Sequence, residues 1–136
     1  MALSVGMVSL LTGEASITTL LATTSSVYVD AIMQNRSMSY LSVTVLRTDP
    51  MVTLGGTSGM RSTNIDIDCV CSSRVKAEAL ADAVDTFIKD YTGAAGSHTI
   101  NAVILSDRAY DEIPVGQGTE NYKYVTTLNI DVQHDA

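Results

Sequence analysis

Apolar residues change spacing sharply in the middle of the chain. Ile65, Ile67, Cys69 and Cys71 alternate with Asp66 and Asp68, a period of two that predicts a strand with one buried and one wet face. From Ser73 the apolar positions become Ala77, Leu80, Ala83, Val84, Phe87, Ile88 and Tyr91, one stripe of a helix, with Lys76, Glu78, Asp82, Asp85 and Lys89 off it. A strand therefore feeds an amphipathic helix that ends near Tyr91.

Upstream, Leu3, Met7, Leu10 and Leu11 have helical spacing within Ala2–Thr12, and Gly13 is a natural stop. Ser16–Ala22 reads as a further turn with Ser16 as its N-cap. Val27–Ile32 reads as extended and Gln34–Ser37 as a loop. Tyr40–Thr48 is a strand with Leu41, Val43 and Val45 on one face, ended by Asp49-Pro50 because proline lacks the ladder N–H. A hairpin centred near Gly55 then sets Leu41 opposite Cys69, Val43 opposite Ile67 and Val45 opposite Ile65, with every apolar side chain on one face.

Its connection, Met51–Met60, is glycine-containing and reads as flexible. Thr92–Ser97 reads as a turn. His98–Ser106 is a strand whose two faces both become apolar, which suits a central position or cover by a partner subunit. Asp107–Asn121 reads as a polar loop, long enough to suggest function, and Tyr122–Gln133 as the last strand, with Lys123, Asn129 and Asp131 facing away from Tyr122, Tyr124, Leu128, Ile130 and Val132. The expected fold is α+β in one domain over residues 1–136: a mainly antiparallel sheet of about four strands against one long amphipathic helix, with a short N-terminal helix.

The chemistry of the residues narrows function mostly by exclusion. The 136 residues carry 15 acidic side chains against eight Lys and Arg, a formal charge of −7, which argues against a surface built to neutralise phosphates. No apolar run approaches the roughly 20 residues that span a bilayer, and the chain is expected to be soluble and unsecreted. The glycines near Gly55 are followed by no Gly-Lys-Ser or Gly-Lys-Thr, so a phosphate loop is rejected, and no Gly-x-Ser-x-Gly elbow offers a nucleophile. Cys69 and Cys71 read as small apolar filler. If the last two strands pair, His98 lies near His134 with Asp131 or Asp135 beside them, but two histidines at strand ends fall short of zinc's usual three or four protein ligands. No catalytic residue, cofactor or metal site is expected.

The order of elements resembles the tail terminator (tail completion) proteins of long-tailed bacteriophages. The most suggestive local matches are Ala77–Val84 in the long helix and Asp107-Arg108-Ala109-Tyr110-Asp111-Glu112 before a Tyr-rich last strand. The resemblance covers nearly the whole chain. It implies a virion protein, not an enzyme: a homohexameric ring at the head-proximal end of the tail tube that stops tube growth and meets the head-tail connector or stopper protein. Its partners would be its own copies, the tail tube protein and that connector, with genome DNA passing through unbound and no membrane involved. Six copies at −7 each would sum to about −42, a ring that repels passing DNA. The remaining alternatives are another neck or head-closure component, or a small enzyme with a site near His98 and His134. The residues expected to make contacts lie in the two long connections: Val52, Thr53, Leu54, Gly55, Gly56 and Thr57 in the first, and Asp107, Arg108, Tyr110, Asp111 and Glu112 in the second.

Overall fold

Alternation at residues 65–71 produces what it predicts: Ile65, Ile67, Cys69 and Cys71 are all buried in the computed structural model, which describes residues 3–21, 26–29, 39–53, 56–89, 91–96, 98–114 and 122–135. They lie on β3 (Gly56–Cys71), which pairs antiparallel with β2 (Tyr40–Thr53) and β6 (Tyr122–Asp135). The remaining elements are α1 (Leu3–Thr12), α2 (Ala15–Thr18), β1 (Val27–Val29), α3 (Arg74–Ile88), β4 (Gly93–Ala95) and β5 (His98–Pro114). The strand order is β1-β2-β3-β6-β5-β4.

Three expected register pairs, Leu41↔Cys69, Val43↔Ile67 and Val45↔Ile65, are all present. The fold class, however, needs correction. The sheet has six strands, not about four; it is curled and mixed, since β1 runs parallel to β2, and its longest helix spans only 15 residues. Two of the extra strands are three residues long, too short for any period to show.

Two connections expected as loops are largely strand. β2 runs through Asp49 and Pro50 to Thr53, because Pro50 lies on an edge stretch that β1, paired only with Leu41–Val43, leaves uncovered. There a missing N–H breaks no ladder. β5 likewise continues from Asp107 to Pro114, paired with β6 throughout. Its polar side chains lack alternation because one face meets charged groups of α3 and the other meets solvent. Residues 115–121 and 34–37 lie outside the described residues.

At the N-terminal end α1 begins at Leu3 and stops before Gly13 as expected. The cap of α2 is Glu14, not Ser16: its carboxylate accepts from the Ser16 N–H. Thr92–Ser97 is not only a turn, since Gly93–Ala95 forms β4 and folds back on His98–Ile100. Gly96, with φ of 63°, supplies the left-handed residue of that reversal.

The helices cover one face of the sheet. Ser73 caps α3 by accepting from the Lys76 N–H, and the helix buries Ala77, Leu80, Ala81, Val84 and Ile88. The stripe is thus centred on Ala81, leaving Phe87 half-buried at the flank, tilted against Tyr91. A smaller apolar group, Tyr40, Val70 and Val125 with Tyr28 and Ile113, occupies the opposite face at the end near β1. Lys123, on the face expected, is buried in this region with its Nζ 3.0 Å from the Tyr40 hydroxyl.

Two substitutions test this packing in thermal or denaturant melts. Leu80→Ala should cost about 2–5 kcal/mol, and Phe87→Ala distinctly less because its site is already open to water. Gly6→Ala should also destabilise: a Cβ there would collide with the Ala95 carbonyl of β4. Overpacking of about 1–3 kcal/mol outweighs a helix-propensity gain of at most about 1 kcal/mol. A Gly6→Ala protein that melts higher than wild type would refute the close α1–β4 approach.

Candidate assembly surfaces

The side chains of β5 alternate between α3 and solvent. Arg108 reaches up to the helix, its Nη2 2.8 Å from Glu78 Oε2 and its Nη1 2.9 Å from Asp82 Oδ1. Glu78 also accepts from the Thr126 hydroxyl of β6 at 3.0 Å. One turn away, the Arg74 guanidinium lies 4.0 Å from the centre of the Tyr110 ring, and the Tyr110 hydroxyl donates to Glu112 at 2.9 Å. Desolvation, and after it the Glu112 carboxylate, pushes the Tyr110 phenol up to about 12. Of the residues singled out in Asp107–Glu112, Arg108 and Tyr110 therefore bind the helix to the sheet, while Asp107, Asp111 and Glu112 are exposed.

The other predicted segment is elsewhere. Pairing of β3 with β6 stops at Met60↔Asp135, but β2 and β3 continue to pair through Val52↔Thr57 and Thr53↔Gly56. Residues 51–53 and 56–59 are thus a two-stranded ribbon running beyond the end of β6, and Leu54 and Gly55 lie outside the described residues. Ile100↔His134 marks the same end of the sheet, whereas Pro114↔Tyr122 closes the opposite end. The structure does not bring the two predicted segments together.

The two histidines do meet. Their rings stand edge to face with centroids 5.5 Å apart, and His98 Nδ1 lies 3.6 Å from Asp135 Oδ1. His98, His134 and Asp135 offer ligand atoms within 4.8 Å of one another. His134 is nevertheless occupied on both nitrogens: Nε2 lies 2.6 Å from the Thr63 hydroxyl and Nδ1 2.6 Å from the Asp135 carbonyl. The Asp135 carboxylate accepts from the Thr99 N–H at 3.0 Å. This cluster ties the end of β6 to β3 and to the start of β5. Burial, reinforced by His98 and Arg61, lowers the His134 pKa below its ordinary value of 6.5.

The face turned from α3 carries a ladder of carboxylates and amides. Asn64 donates to Asn129 and Asp131, Asn129 to Asp66, Thr127 to Asp68 and Ser106 to Asp131, over 2.6–3.0 Å. Burial raises the Asp68 pKa, and the donors of Asn64 and Ser106 lower that of Asp131. Cys69 and Cys71 are buried free thiols whose pKa values burial raises, so neither is a poised nucleophile. An open groove of about 410 Å³ between α2 and α3 is lined by Glu14, Ser16, Asp82, Ala83, Thr86 and Phe87. Among the described residues no helix is long and apolar enough to cross a membrane.

Arg108→Ala should lower stability by about 1 kcal/mol, the scale of partly exposed ion pairs, and the difference from wild type should shrink in high salt. A salt-independent loss would deny the electrostatic role. For His134 the folded state disfavours the proton, so its contribution is complete above pH 6.5 and is lost as pH falls through the depressed folded value. Melts across this window should show a shallower acid-side loss for His134→Gln than for wild type; parallel slopes would mean that His134 is not the group titrating.

Residues 5–125 match the family model described as "Tail completion protein gp17". No curated protein matches the sequence. Among solved structures, a chain of "Virion of native gene transfer agent (GTA) particle" aligns with a TM-score of 0.66 at 12% identity, covering 98% of this chain and 94% of that one. At that identity the likeness is one of fold. The match across residues 5–125 carries the assignment: this chain belongs to the tail completion protein family and is a structural component of the phage virion tail.

Proposed function

We propose that this chain, as one domain, assembles into a six-membered ring at the head-proximal end of the tail tube, ends tube polymerisation and presents the surface that joins the head. Membership of the tail completion family is the observation that carries this reading. The architecture is suited to it: the sheet has two different outer edges, and a ring requires two different faces on every subunit. The ribbon beyond Asp135 and the exposed carboxylates Asp111 and Glu112 are surfaces available to the tube protein and the connector. The acidic balance suits a ring through which DNA passes without being held. The role is structural and needs no catalysis or cofactor; the paired histidines act as a tie between strands.

Removing the gene product during infection should yield heads without attached tails, together with tubes of abnormal length in electron micrographs. Normal-length tails joined to heads in its absence would defeat the proposal. Replacing Val52–Met60 by an Asn-Gly turn should leave the domain folded, because the flanking register is kept and closing a short loop costs little. Capping of purified tubes by that variant should be weakened. Capping at the wild-type level would remove the ribbon from the contact surface while leaving the family role untouched.

A further inference from the structure

One cross-strand row runs across the four long strands at a single level: Val45 pairs with Ile65, Ile65 with Ile130 and Ile130 with Leu105. The two inner isoleucines are fully buried, but Val45 and Leu105 at its two ends are 38% and 42% exposed. Each stands beside a register shift, and each has an exposed aliphatic neighbour, Leu46 on β2 and Ile104 on β5, both 51% exposed. Among the described residues, β1 pairs with Leu41–Val43 and β4 with His98–Ile100, neither reaching this level. The apolar row therefore leaves the subunit on both sides at the same height.

Charge is matched in the same place. On the face turned from α3, Arg47 heads the row of Asn64 and Asp131 on the β2 side, and Asp107 ends the row of Asn129 on the β5 side, one row away. The Arg47–Asp49 ion pair is 76% and 60% exposed, so it holds Arg47 only weakly.

We propose that Val45 and Leu46 of one copy pack against Ile104 and Leu105 of the next, with Arg47 meeting Asp107 across the junction. The occupant of each edge is a second copy of this chain, bound head to tail. Two unlike patches on opposite sides give a heterologous contact, the kind that generates a closed ring when the rotation between copies closes. This inference rests on the ring proposed above and assigns its subunit contact.

The test uses the full chain in two variants, Val45→Asp and Leu105→Asp, followed by native mass spectrometry and light scattering. Each variant alone should lose assembly, with self-association weakened on the order of tenfold or more. Mixed, they should form one-to-one dimers and nothing larger, because each retains one intact half of the contact. In a second series Arg47→Asp should weaken assembly and the added Asp107→Arg should restore it; if an aspartate variant fails to fold, this series decides alone. A single edge variant that dimerises with itself, or an Arg47→Asp loss that Asp107→Arg does not repair, overturns the contact. Wild-type rings that persist in both edge variants would leave the ring standing and reject this interface. A wild type that stays monomeric both in solution and on purified tail tubes would sink the ring and the contact together.

Discussion

Every other element takes its place from β3, which pairs with β2 on one side and β6 on the other along most of its length. Its period of two leaves no freedom in register. A slip by one residue would turn Ile65, Ile67, Cys69 and Cys71 into water and carry Asp66 and Asp68 under α3. Burying a large aliphatic side chain contributes about 1.5–3 kcal/mol, so losing the two isoleucines alone approaches the 5–15 kcal/mol that holds a typical domain together. Desolvating two carboxylates would add to the loss. The correct alignment is fixed by its alternatives being unaffordable.

That fixed register explains what could be seen in the sequence. Where one face is buried and the other wet, composition reports structure directly; hence the hairpin pairing, the β3–α3 unit, α1, and the approach of His98 to His134 were all legible. The signal fades where both faces meet polar surroundings. Asp107–Pro114 looked like a loop because Arg108 and Tyr110 are satisfied by Glu78, Asp82 and Arg74 on α3, partners remote in sequence. Those acidic positions of α3 read as a solvated helix face, yet they are what anchors β5. Lys123 lies on the expected face, but its burial had no readable sign, because its ammonium is held beside the Tyr40 hydroxyl, a partner remote in sequence. The parallel β1–β2 pair had no readable sign in three residues. Of the candidate contact residues, alternation alone could not separate Asp107, Asp111 and Glu112, which remain at the surface, from the two that tie down α3.

The face away from α3 raises an electrostatic problem, because it gathers Asp66, Asp68 and Asp131 on adjacent strands. Side-chain amides and hydroxyls resolve it. Asn64 and Asn129 each donate to a carboxylate while also bonding each other, and Thr127 and Ser106 supply further donors. The carboxylates are thereby separated and hydrogen-bonded to neutral donors. Of the cations, Arg108 lies under α3, whereas Lys123 in the smaller apolar group and Arg47 at the edge stand on this same face.

Of the two register shifts in each of β2 and β5, those after Val45 and after Leu105 fall at the same level, on the two outer long strands. A bulge bends its strand and increases the local twist, and a pair of them flanking unbroken inner strands contributes to the curl of the sheet. The same bulges, together with Pro50 and the charges of Arg47, Asp49 and Asp107, disrupt the regular ladder that an incoming strand would need. Indefinite edge-to-edge addition is thereby discouraged. Aliphatic side chains remain exposed at those sites, and side-chain packing constrains the angle between neighbours less than a continued backbone ladder would. An edge closed to backbone pairing but open to apolar contact suits the closed ring proposed above, in which copies add a fixed number of times.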